Sequence, residues 1–370
     1  MRLGLVKLAV CLELAVPMRA AAQTPSPPQA DGVRQLLARL EHLLQTNDRD
    51  AFPEILSTTD VTGERAIQAT DDLFSYDSTR AVLKERDRQP LMSSPPGDGY
   101  RVITEILVET SVRARVMTAR LDVRRPPGGG PDSWRIVDVE RLTLVQGLYR
   151  LRIDPDAQFE ARDFSIDAQD VRFTLRTGTV FQVLSGDGIT GIIMMGRGEM
   201  RFTPGPNTER GQLRILAGSD SLTASFSTAF VRLHPADYET RVREGQLRRV
   251  SPTPRLLRRA QDVFNTEGPK SFNIDLRDLS REPWYILPQL GDTVAEVRTS
   301  RFGTLTYARS LGNPEDVTLF DRAHRKAIAL YPSPDKLAER GAVYNEDDFR
   351  AYDVLDYNID TLVDPDRQFV

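Results

Sequence analysis

The sequence predicts an α+β protein, mostly antiparallel β. An N-terminal α+β domain comes first, then a β-rich sandwich or open-barrel domain with a helical arm, then a truncated C-terminal strand. Three observations predict this. Leucines recur at helical spacing near the start, apolar residues alternate at period two through much of the rest, and glycine and proline interrupt the strand-like runs at short intervals. A chain of 370 residues has room for roughly two or three domains. A formal charge of −4 leaves no electrostatic footprint for a polyanion, so no nucleic-acid partner is expected.

The first 22 residues have the layout of an export signal. Met1, Arg2 and Lys7 give a basic start, Leu8 to Pro17 is mainly apolar, and Ala20-Ala21-Ala22-Gln23 offers a small-residue cleavage site. The expected location is therefore periplasmic or extracellular. Leu8-Ala9-Val10-Cys11 is not expected to be lipidated, because Val10 is too large for the position before a modified cysteine. Cys11 is the single cysteine, and cleavage leaves a chain with no disulfide, thiol nucleophile or cysteine metal site. Elsewhere no apolar run reaches the ~18 residues a membrane helix needs.

Residues 23–32 form a Pro-rich linker. Val33, Leu36, Leu37, Leu40, Leu43 and Leu44 then define an amphipathic helix over 33–45, with His42 beside the leucine stripe. From Tyr100 the period becomes two: Val102, Thr104, Ile106 and Val108 alternate, then Val112, Ala114 and Val116, then Leu121 and Val123. A Gly/Pro turn over 126–132 leads into Trp134-Arg135-Ile136-Val137-Asp138-Val139. This order of a helical front, long antiparallel strands and a Trp-containing strand over 33–150 resembles the cystatin-like α+β cone of the SnoaL or nuclear transport factor type. The resemblance implies a cone that often encloses a ligand pocket.

Residues 155–335 read as one β-rich domain. Its strands are expected at Phe173–Leu175, Val180–Val183, Gly191–Gly196 and Leu213–Leu216, and again between Phe272 and Ser333. A helical arm over 235–267, interrupted around Pro252 and Pro254, carries Arg241, Arg243, Arg248, Arg249, Arg255, Arg258 and Arg259. Residues 336–370 are a connector, with acidic Glu346-Asp347-Asp348, leading to the start of a further strand.

Each candidate site has a plainer account. Gly186-Asp187-Gly188-Ile189-Thr190-Gly191 fits G-x-G-x-x-G, but the residues after it read as strand rather than a phosphate-receiving helix, so a Gly-rich hairpin is expected. The arginines of the arm read as a solvated helix face paired with carboxylates. Glu346-Asp347-Asp348 and Asp364-Pro365-Asp366 lack the spaced donors of a calcium loop. Ser219 and Ser221 sit in a turn without G-x-S-x-G. Trp284 and Tyr285 read as buried sheet aromatics. His42, His234 and His324 are scattered. No catalytic, cofactor-binding or metal-binding residue is assigned.

The C-terminal residues Tyr352, Asp353, Val354, Tyr357, Ile359, Asp360, Asp364 and Pro365 match a YDVxxYxIDxxxDP phrase. Tyr357, Ile359, Thr361 and Val363 share one face of the strand expected there, which enters a Pro-containing turn without a visible pairing partner. The phrase resembles the opening of the N-terminal β-domain of the gluzincin zinc aminopeptidases, aminopeptidase N type. The family's H-E-x-x-H, which supplies two zinc ligands and a general base, has no counterpart here, so no zinc ligand or base carries over. The resemblance implies a non-catalytic exported accessory region that scaffolds or presents substrate. Its partner would be a missing C-terminal peptidase module or a peptide substrate. The alternatives are a stand-alone periplasmic ligand-binding protein and a pocket enzyme in the 33–150 domain.

Overall fold

The computed structural model describes residues 31–61, 63–74, 78–186, 188–242 and 246–340. The signal and the strand expected from Tyr352 lie outside these, with most of both flanking connectors. The described chain is α+β with two antiparallel sheets, neither closed into a barrel.

Helix α1 (Gly32–Thr46) begins where Asp31 accepts from the backbone N–H groups of Val33 and Arg34, both at 3.2 Å, and ends at Asn47 in the left-handed region. Its leucine face is buried as the spacing requires. Gly32 is needed for close approach, since a Cβ there would lie 2.3 Å from the Trp134 ring. Helix α2 (Glu64–Leu73) follows, then the strands β1 (Arg80–Pro90), β2 (Gly99–Glu109), β3 (Arg113–Arg124) and β4 (Arg135–Tyr149). These four pair in sequence order. Both helices pack on one face of this sheet, with Val33, Leu36, Leu40, Phe52, Leu73, Val102, Ile106, Leu121, Trp134 and Ile136 in a common core.

The second sheet begins with three long strands, β5 (Arg152–Ala168), β6 (Val171–Ser185) and β7 (Gly188–Phe202). Helix α3 (Asn207–Ala217) precedes β8 (Leu222–Leu233). Leu213 to Leu216, expected as a strand, are the last turns of this helix. A four-residue apolar run does not distinguish the two periods. Here Leu213 alone is buried, Ile215 and Leu216 face outward, and Gly218 at φ 75° caps the helix. The arm contains α4 (Pro235–Arg241), a short strand β9 (Leu247–Val250) and α5 (Pro254–Glu267), so the interruption expected around Pro252 and Pro254 is there and includes a strand just before these prolines. After β10 (Asn273–Ile274) and β11 (Trp284–Ile286) come β12 (Thr293–Thr299), β13 (Thr304–Arg309), β14 (Val317–Asp321), β15 (Lys326–Tyr331) and α6 (Pro334–Arg340). The first residues of the expected connector are therefore helical.

The nine-stranded order is β15-β14-β13-β12-β8-β7-β6-β5-β9. This sheet curls until its two halves meet. Tyr307 in β13 packs against Phe173 and Phe202, and its hydroxyl donates to the Ala168 carbonyl at 3.1 Å. Gly178 and Gly196 make the bend possible. They face each other across β6 and β7, and a Cβ on either would lie 2.3 Å from a backbone oxygen of the opposite strand. Beyond the bend, Phe181, Val183, Ile193 and Met195 pack on α5 while Val180, Ile192 and Met194 face the curled interior. Burial on both faces accounts for the continuous apolar runs there.

The two sheets are stitched together. β10 and β11 lie between α5 and β12 in sequence, yet β11 pairs with β4, extending the first sheet to six strands. Leu276, Leu279 and Trp284 cover Leu107, Ala114 and Leu148 on the sheet face opposite the helices.

Candidate functional site

A groove of about 600 Å3 lies between α3 and the outer strands of the curled sheet. Helix α3 contributes Gln212, Ile215 and Leu216, the β12–β13 turn contributes Arg301 and Phe302, and the β14–β15 hairpin contributes Asp321, His324 and Lys326 to Ile328. Consecutive residues of a strand normally point to opposite faces. Here Leu319 pairs with Ala329 and Phe320 with Ala327, so Ile328 is an extra residue, and the bulge lets Lys326, Ala327 and Ile328 all line one groove. Ile215 on its wall is 91 % exposed.

At the groove's polar end, one oxygen of Asp321 accepts from the backbone N–H groups of Ala323 (2.9 Å) and His324 (3.1 Å). The other lies 2.8 Å from Nδ1 of His324. Burial pushes the Asp321 carboxyl up, but the hydrogen bonds from His324 and Ala323 outweigh it and hold the group below the usual carboxylate range. A carboxylate that orients an imidazole is one half of a nucleophile-activating arrangement. The other half is missing, because the groove lining contains no serine, threonine or cysteine. Arg301 stacks over Phe302, 5.0 Å from the ring centroid. The groove can hold an apolar group and an anion together, and its lining offers nothing for His324 to activate.

The residues singled out from sequence do not converge here, except His324. His42 is exposed on α1, and His234 caps α4, its Nδ1 accepting from the Ala236 N–H at 3.1 Å. Gly186 to Gly191 form the β6–β7 hairpin, with Ser185 paired to Gly188; Asp187 is outside the described residues. Ser219 and Ser221 lie in the bend after α3. Trp284 and Tyr285 are buried in β11, the Trp284 Nε1–H donating to Ser280 Oγ at 3.1 Å. Of the arginines, Arg241 pairs with Asp237 at 3.3 Å and Arg248 with Glu160, while Arg249 donates to the Asp156 carbonyl. Arg255, Arg258 and Arg259 lie on the exposed face of α5, and Arg243 is outside the described residues. The acidic pairs and triplet beyond residue 340 are outside them too.

A second feature, absent from the sequence reading, is Arg232. It is fully buried in β8, and its guanidinium donates to the carbonyls of Thr190 (3.2 Å), Ser271 (3.3 Å) and Ile286 (3.2 Å) between the Phe272 and Tyr285 rings. Burial lowers its pKa to about 10, still far above neutrality, so it remains a cation. It joins β7, β8 and the crossing segment.

Among the described residues no group of three or more His, Cys, Asp or Glu side chains is placed to hold a metal ion, and no helix is long and apolar enough to cross a membrane. No family model, curated protein or solved structure matches the chain.

Proposed function

We propose that this chain is a non-catalytic, exported accessory region of a zinc-aminopeptidase-like protein, acting as a scaffold or presenting substrate to a peptidase module. The observation that carries the proposal is the filled interior of the first unit. A cone that performs chemistry needs convergent polar groups in a cavity. Between the two helices and the sheet lies a packed apolar core, in which the buried Thr104 hydroxyl is satisfied by donating to the Ala119 carbonyl at 3.2 Å; the groove of about 300 Å3 beside α2, lined by Arg65, Arg120, Asp138 and Glu140, has its Arg120 already paired with Glu140. The groove beside α3 is open and its lining holds no serine, threonine or cysteine, which suits seating a polypeptide better than enclosing a reaction. The C-terminal resemblance supplies the peptidase context.

Trp134, 4 % exposed in this core and stacked on Tyr100 at 5.7 Å, reports on the interior. Titrating the chain with aminoacyl amides, dipeptides, fatty acids and polycyclic aromatics should leave tryptophan emission without a saturable change assignable to Trp134. A one-to-one saturable response that is lost in Trp134→Phe would show an open pocket and favour the ligand-binding alternative.

A further inference from the structure

The groove beside α3 combines an apolar floor with cations that have no carboxylate partner among the described residues. Ile215 and Leu216 stand exposed on consecutive positions of α3, facing Phe302 and Ile328 across the groove. Arg301 and Lys326 line it, Arg325 adjoins it, and none of the three makes a hydrogen bond or ion pair with another described residue. Arg322, by contrast, is engaged by Glu296 at 2.6 Å, and the one carboxylate in the lining, Asp321, is occupied by His324. An occupant that satisfies this surface needs an aromatic or aliphatic group beside carboxylates.

The chain itself supplies that chemistry nearby. Tyr344-Asn345-Glu346-Asp347-Asp348-Phe349 places three consecutive acids between two aromatics. Helix α6 is anchored at the opposite end of β15 from the groove: the Ser333 hydroxyl donates to Asp316 at 2.7 Å and the Lys336 ammonium to the Leu311 carbonyl at 2.6 Å. The six residues of β15 span about 20 Å, and the nine residues from Arg340 to Phe349 reach about 30 Å when extended. Phe349 can therefore pass the length of β15, whereas Tyr344 and Asn345, about 13 and 17 Å from Arg340, fall short of it.

We infer that the groove formed by α3, the β12–β13 turn and the β14–β15 hairpin is the docking site for this chain's own acidic connector, residues 346–349. Phe349 sits against Ile215, Leu216, Phe302 and Ile328, and Glu346 to Asp348 face Arg301 and Lys326. The inference rests on the scaffold reading, for which it names the means: seating the connector fixes the direction in which the chain leaves the curled sheet. Charge attraction of this kind weakens with salt, whereas the apolar contact does not.

Because Cys11 is the single cysteine, directed cross-linking is clean. In the full chain with Cys11→Ser, Ala351→Cys, just past Phe349, is paired with Ala327→Cys in the groove. A control chain pairs it with Met92→Cys, which is fully exposed on the first sheet. Mild oxidation should give an intrachain disulfide with Ala327→Cys in at least about fivefold higher yield than with the control, the gain expected of a docked over a merely tethered segment. Adding R301E and K326E, or Phe349→Ala, should reduce that yield several-fold. Equal yields at both positions, or a yield indifferent to these substitutions, overturns the proposal. So does a disulfide joining two chains, which would make a second copy the occupant. None of these results depends on hydrolytic activity or zinc content, so failure here is distinguishable from failure of the scaffold reading.

Discussion

Asp170 shows how the curled sheet carries a cost in its closure. It lies in the β5–β6 turn and accepts from the Tyr331 hydroxyl at 2.6 Å, beside Arg309 and Asp316. Burial raises its pKa, and the hydrogen bond from Tyr331 and the charge of Arg309 only partly counter it. The folded chain therefore holds this proton to higher pH than the unfolded chain does. The ionised carboxylate costs stability at neutral pH, and that cost is relieved as pH falls through the folded-state value. Asp170→Asn keeps the shape and an acceptor for Tyr331 without the charge. It should raise the thermal midpoint at pH 7 by roughly 1–3 °C, with the gap to the parent shrinking towards pH 4. A lowered midpoint at pH 7 would mean the carboxylate is a net favourable partner of Tyr331 and Arg309.

At the scale of elements, the segment carrying β10 and β11 decides whether the two sheets behave as one body. Its attachment to the curled sheet runs through Arg232, and its attachment to the first sheet through Trp284. Glu109, 2 % exposed, adds a polar tie by accepting from Arg80 (2.7 Å) and Arg150 (2.6 Å), and Arg150 lies over the Trp284 ring. The planar guanidinium serves three carbonyls at once, which a lysine ammonium on a shorter reach cannot reproduce. Arg232→Lys should cost about 2–4 kcal/mol in denaturant unfolding, with amide exchange rising first over residues 271–286. A cost below ~0.5 kcal/mol, the size expected of an ordinary surface change, would show that the seam does not depend on this cation.

This seam also marks where the sequence stopped being legible. Helix α1 could be read because its six apolar positions keep a helical period, and β2, β3 and β7 because their alternation or glycine boundaries are long enough to count. β10 and β11 are two and three residues long, and β11's partner β4 lies more than a hundred residues earlier, so no local pattern announces the crossover. Helix α3 was misread because its apolar run is short and its helical face buries a single leucine. The groove was invisible for a different reason: it is assembled from three stretches, 212–216, 301–302 and 321–328, and from a bulge that no composition encodes. From spacing alone His324 reads as isolated. The spacing Asp321-x-x-His324 between two strand-like runs was the available hint of a paired imidazole.

At the scale of the whole molecule, both sheets spend their faces on packing. The first is covered by α1 and α2 on one side and by the crossing segment on the other, and the curled sheet fills its own interior with aromatics from both halves. The groove beside α3 is open. This distribution supports holding and orienting over reacting, which is the proposed role. The most direct measurement is zinc content and aminoacyl-substrate hydrolysis on the same purified full chain, with and without a chelator. The account predicts far less than one zinc per chain and hydrolysis no faster than in buffer, unchanged by chelation. Stoichiometric zinc together with chelator-sensitive turnover would contradict it.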